Sequence, residues 1–131
     1  MTVLMICLAV VVVALGYIRL APSDPNVWHK LPAFEADKQF KAGVMRVVQA
    51  GPDGLARLDR IIQAAPRVKL LAGSVDQGMI TYVARSKVIG FPDYVTVKQE
   101  GDLLKVYSRL RFGRSDLGVN AKRLQGWLNA L

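Results

Sequence analysis

The sequence predicts an α+β fold: an N-terminal transmembrane helix, then an antiparallel sheet of four to five strands with two helices packed on one face. Three observations carry this expectation. Residues Thr2 to Ile18 contain no charge. Two later segments repeat apolar residues at helical spacing, and most of the chain between them alternates with a period of two. At 131 residues and 52% apolar content, the chain suits one small domain plus an apolar segment.

Residues 1–21 are read as the anchor. A bilayer core about 30 Å thick needs roughly 17–25 apolar residues, and the uncharged run meets the lower bound. Arg19 ends it, placed to snorkel toward headgroups, with Tyr17 at the level of the interfacial belt and Trp28 a further interface candidate. A cleaved signal peptide is the rival reading. It would carry basic residues ahead of the run and small residues at its exit; here the exit is Gly16-Tyr17-Ile18-Arg19-Leu20. Cys7 is the single cysteine and lies inside the run, so no intramolecular disulfide can form. Arg19, Lys30, Lys38, Lys41 and Arg46 follow the run, so the positive-inside rule points the domain toward the cytoplasm.

Residues 22–42 read as a Pro-containing tether, with Pro22, Pro25 and Pro32 interrupting any helix. Within it Trp28 either packs on the domain or rests at the membrane interface. His29 is the only histidine, which excludes a two-histidine metal site. Residues 43–131 form the small basic domain. Gly43–Gln49 has the β-branched content of a strand, and Gly51-Pro52-Asp53-Gly54 is a turn. Leu55, Leu58, Ile61 and Ile62 then make a helical stripe, capped by Asp53 and closed by Pro66. Strands are expected at 68–71, 79–89, 94–98 and 103–112, with a tight hairpin at Glu100-Gly101. Leu117, Leu124, Trp127, Leu128 and Leu131 mark a C-terminal helix with Ser115 or Asp116 as its cap.

Alternation assigns Lys105, Tyr107, Arg109 and Arg111 to one face of the last strand. Arg85 and Lys87 lie opposite Ile80, Tyr82, Ala84 and Val88 in the long earlier strand. Both basic sets then fall on one outer face, concentrating much of the net charge of +8. That face is read three ways: a solvated surface that blunts aggregation, attraction to anionic lipid headgroups at about 1 kcal/mol per nearby basic residue, or an acidic partner. Nucleic acid is set aside because no recognised motif is present.

Phe91-Pro92-Asp93 and the stretch Gly113-Arg114-Ser115-Asp116-Leu117-Gly118-Val119-Asn120 resemble the uncharacterised domain-of-unknown-function family 1499. Arg19-Leu20-Ala21-Pro22-Ser23-Asp24-Pro25 with Trp28-His29 is similar to its short membrane-anchored alphaproteobacterial members. The resemblance implies no activity and no catalytic residues. It implies an extracytoplasmic domain on a bacterial inner membrane, opposing the charge rule.

Arg114, Ser115, Asp116 and Asn120 form the strongest polar constellation. A helix N-terminus beside Arg114 could hold an anion; alternatively Asp116 caps the helix and pairs with Arg114 while Ser115 satisfies an orphan amide. Asp93 reads as a turn residue. No nucleophile with a base, no P-loop and no dinucleotide fingerprint is present, and no cofactor is implied. The expectation is a non-catalytic, membrane-tethered accessory or interaction protein, with membrane lipids and a larger integral-membrane complex as partners. A carrier of a lipid or other amphiphile is the alternative, an enzyme the third reading, and the oligomeric state stays open.

Overall fold

A computed structural model describes all 131 residues. Helix α1 spans Thr2–Leu20 and buries none of its residues. It is long and apolar enough to cross a membrane, a property signal sequences share. A one-turn helix α2 (Pro25–Trp28) follows, started by Asp24, whose side chain accepts the Asn26 amide. The remaining elements are β1 (Lys38–Phe40), β2 (Gly43–Gln49), α3 (Gly54–Gln63), β3 (Val68–Ser74), β4 (Met79–Arg85), β5 (Pro92–Glu100), β6 (Leu103–Leu110) and α4 (Val119–Asn129).

The strands make one six-stranded sheet in the order β1-β2-β6-β5-β4-β3, every pair antiparallel. The strand count is therefore six. The added member is β1, at the end of the segment read as a tether. Gly43 opens β2 where a Cβ would lie 2.1 Å from the Ser108 carbonyl oxygen, so only glycine lets β2 approach β6 there.

One face of the sheet carries α3 and α4. Leu55, Leu58 and Ile62 from α3, and Leu124 and Trp127 from α4, pack on Val44, Ile80, Tyr82, Val95, Val97, Leu104 and Val106. Each of these is nearly inaccessible to water. At about 25 cal/mol per Å² of apolar area, such burial is the main stabilising term in a domain this small. Tyr82 keeps its hydroxyl satisfied inside this layer by donating to Asp59 at 2.6 Å. Burial first, then that carboxylate, pushes its pKa upward.

All four strands expected after α3 differ at a boundary: β3 runs on to Ser74, β5 is longer at both ends, and β6 stops at Leu110, which leaves Arg111 just beyond the strand. The strand expected over 79–89 stops at Arg85, because Ser86 Oγ accepts the amides of Gly90 and Phe91 and folds 86–90 into a loop. Lys87 and Val88 therefore lie in a loop, not on the sheet face. Asp93 lies inside β5, because Pro92 sits at the first strand position, where proline is tolerated.

Candidate functional site

The basic face is covered. Lys105 and Arg109 are each only 6% exposed, and the segment after α1 lies over them as a strap. Trp28 stacks on Tyr94 with ring centroids 4.1 Å apart and 14° between planes. The Arg109 guanidinium donates to Thr96 Oγ1, the Tyr107 carbonyl and the Trp28 carbonyl, and lies 4.4 Å from the Tyr107 ring centroid. No carboxylate lies within ion-pairing distance of it. Burial lowers its pKa to about 10, yet it stays charged at neutral pH. His29 Nδ1 meets Thr81 Oγ1 at 2.7 Å, and Thr81 bonds Thr96 at 2.8 Å, which completes a polar chain to Arg109. Burial, and then the nearby Arg109, lowers the His29 pKa.

Lys105 bridges Glu100 at 2.8 Å and the strap's Glu35 at 3.2 Å. Those hydrogen bonds, Glu100 first, raise its pKa, while Lys105 lowers that of Glu100. Arg111 is half-buried and donates to the Pro22 carbonyl and the Tyr94 hydroxyl, both at 2.9 Å. Of the five cations expected on an outer face, Lys105, Arg109 and Arg111 hold the strap, while Arg85 and the exposed Lys87 do not. Trp28 accordingly packs on the domain.

The second polar cluster lies at the N-terminus of α4. The N-cap of α4 is Gly118, at φ 81°, and not Ser115 or Asp116 as expected; Asp116 lies two residues earlier and accepts the amides of Gly118 and Asn120 and the Asn120 side-chain amide. Ser115 Oγ accepts the Leu117 amide at 3.2 Å. Asn120 is fully buried and ties Ser108, Asp116 and Asp93 together. Asp93 pairs with Arg123 at 3.2 Å. Burial raises the Asp93 pKa, partly countered by Arg123. Arg114 is exposed, in no ion pair, and makes no hydrogen bond to Ser115, Asp116 or Asn120. The partner of the cluster is Arg123, one helical turn beyond Asn120. An Asn-x-x-Arg spacing on the capped helix was the signal available for it.

The third feature is the junction of α1 with the domain. Arg19 donates to the carbonyls of Val88 and Ile89 at 2.7 and 2.9 Å. Arg85 donates to the Gly90 carbonyl at 2.9 Å and the Ile18 carbonyl at 3.4 Å. Tyr17 meets Phe112 edge-on at 6.0 Å, and Ala21 is buried. The last turn of α1 is therefore clasped by the β4–β5 loop. Two open clefts adjoin this clasp and share Arg67, Val68, Arg85, Ser86 and Lys87. One, of about 720 Å³, is also lined by Arg19, Leu20 and Lys69. The other, of about 550 Å³, reaches Lys122 and Trp127. Neither contains an acidic residue, and no group of histidine, cysteine or carboxylate side chains in the chain could hold a metal ion.

Comparison with protein-family models finds a match over residues 17–131, to the family described as "Protein of unknown function (DUF1499)". No curated protein and no solved structure matches.

Proposed function

We propose, for a chain that belongs to the DUF1499 family, a non-catalytic accessory role at a membrane. In this reading α1 is an uncleaved anchor, and the domain is held in a fixed orientation against the anionic surface of the bilayer, beside a larger membrane complex. The clasp around the last turn of α1 carries this reading. Arg19, Arg85, Tyr17 and Ala21 make the helix end part of the folded domain, which a removable leader has no need to be. The clasp also brings the loop tip to the level of Arg19. Val88 there is 80% exposed, and Ile89 and the cations lining the clefts lie beside it. Apolar side chains flanked by Lys and Arg suit a headgroup boundary.

In this proposal the domain faces the extracytoplasmic side of a bacterial inner membrane, supported by the family resemblance and opposed by the charge rule. Protease accessibility in intact cells against inverted vesicles decides between the two sides. Resistance to carbonate extraction and co-purification of a membrane protein from mild detergent are the expected results. Release by carbonate, or a lone monomer at every expression level, would contradict the role. The alternative is a carrier of a lipid or other amphiphile; the core packed between the sheet and the two helices favours the accessory role, and native mass spectrometry showing no bound amphiphile would remove the carrier.

A further inference from the structure

We infer that the joined clefts beside α1 bind the headgroup phosphate of an anionic phospholipid. The inference deepens the membrane reading and rests on it. Arg19, Arg67, Lys69, Arg85, Lys87 and Lys122 line the two clefts without taking part in an ion pair, while a seventh cation, Arg123, is paired with Asp93. These cations lie around two adjoining clefts that share Arg67, Arg85 and Lys87; they repel one another, and a bound anion removes that repulsion.

The guanidinium groups are also preset. Backbone carbonyls hold Arg19 and Arg85, and Arg67 Nε donates to the Arg85 carbonyl at 3.3 Å while the Arg85 amide donates back to the Arg67 carbonyl. Each retains free N–H groups, the fork that matches phosphate oxygens. Arg67 holds this place with a left-handed backbone, φ 59°, which a non-glycine residue adopts at a cost.

The source of the phosphate follows from what borders the cations. Leu20 and Leu70 line the larger cleft at 83% and 46% exposure, and Val88 beside it is 80% exposed. A free phosphate leaves that apolar rim in water, whereas the glycerol and upper acyl carbons of a lipid cover it. The position next to the last turn of α1 sets the site at headgroup depth.

The test uses the full chain in mild detergent, titrated in native mass spectrometry with phosphatidylglycerol or with phosphatidylcholine of the same acyl chains. Phosphatidylglycerol is expected to bind at least about tenfold more tightly. The double variant Arg67→Gly/Lys87→Gln should lose at least about tenfold in that affinity. Its fold is safe, because glycine relieves the left-handed position and Lys87 is an exposed loop residue. Arg60→Gln/Arg114→Gln, which removes two exposed cations outside the clefts, should stay within about twofold of wild type.

Equal binding of the two lipids, equal losses in both double variants, or displacement by equimolar inorganic phosphate would each overturn the assignment. The intact mass in the same spectra shows whether α1 is retained. A failure of the anchor reading is thereby scored apart from a failure of the headgroup site.

Discussion

Replacing Trp28 with alanine should release the strap while sparing the core. Truncating a fully buried tryptophan costs about 3–5 kcal/mol. Trp28 is half-buried, so about 2 kcal/mol comes from lost contact. The stack on Tyr94 adds about 1 kcal/mol beyond area. The expected loss is about 3 kcal/mol, with Trp28→Phe recovering roughly half because it keeps a ring over Tyr94. Urea unfolding of the full chain in detergent measures the loss, followed by the fluorescence of Trp127, which lies in the core and is the only other tryptophan. Limited proteolysis supplies the local readout: new cleavage is expected between residues 22 and 42, with α3, α4 and the sheet intact. A stability change below about 0.5 kcal/mol with an unchanged proteolytic pattern would refute the reasoning, because it would mean that the strap does not hold the sheet face.

Asn120→Leu leaves the buried Ser108 hydroxyl without its acceptor and takes one donor each from Asp93 and Asp116, so urea unfolding should show a loss of about 2–3 kcal/mol. His29 has a folded pKa below its ordinary value of 6.5, so the unfolded chain takes up protons first as pH falls. Stability should therefore decline as pH drops through and below that value, and His29→Gln should flatten the slope in unfolding midpoints measured across this range. Asp93 acts with the opposite sense. Its folded pKa is raised from 3.8, so its contribution falls as pH rises from that value, and the stability of Asp93→Asn relative to wild type should increase over the same range.

What was legible in the sequence was what periodicity encodes. The stripe Leu55, Leu58, Ile62 gave α3, and alternation through Leu104 and Val106 gave β6 and its core face. Parity assigns a side chain to a face but does not say what covers that face, and so Lys105 and Arg109 were expected in water. The covering segment has no period: its grip comes from one ring, one imidazole and one carboxylate (Trp28, His29 and Glu35) set among prolines. Pro92-Asp93 carries turn chemistry, and pairing of Asp93 with Ala84 on one side and Leu110 on the other places it in a strand. Arg114 and Asp116 are two residues apart, but Asp116 turns to the Asn120 amides while Arg114 is left in solvent. The cationic clefts draw Arg19, Arg67, Arg85 and Lys122 from four separate parts of the chain, a convergence that only the fold produces.

The central claim is that the clasp fixes the β4–β5 loop at the bilayer surface. A spin label on Val88→Cys, in a Cys7→Ala background that leaves no other cysteine, tests it in vesicles containing anionic lipid. The comparison site is Asp76→Cys in the exposed β3–β4 turn, at the other end of a seven-residue strand roughly 20 Å long. The account predicts that the label at 88 collides more with dissolved oxygen than with a water-soluble nickel chelate, with the reverse at 76. Equal, fully aqueous accessibility at both positions would contradict it.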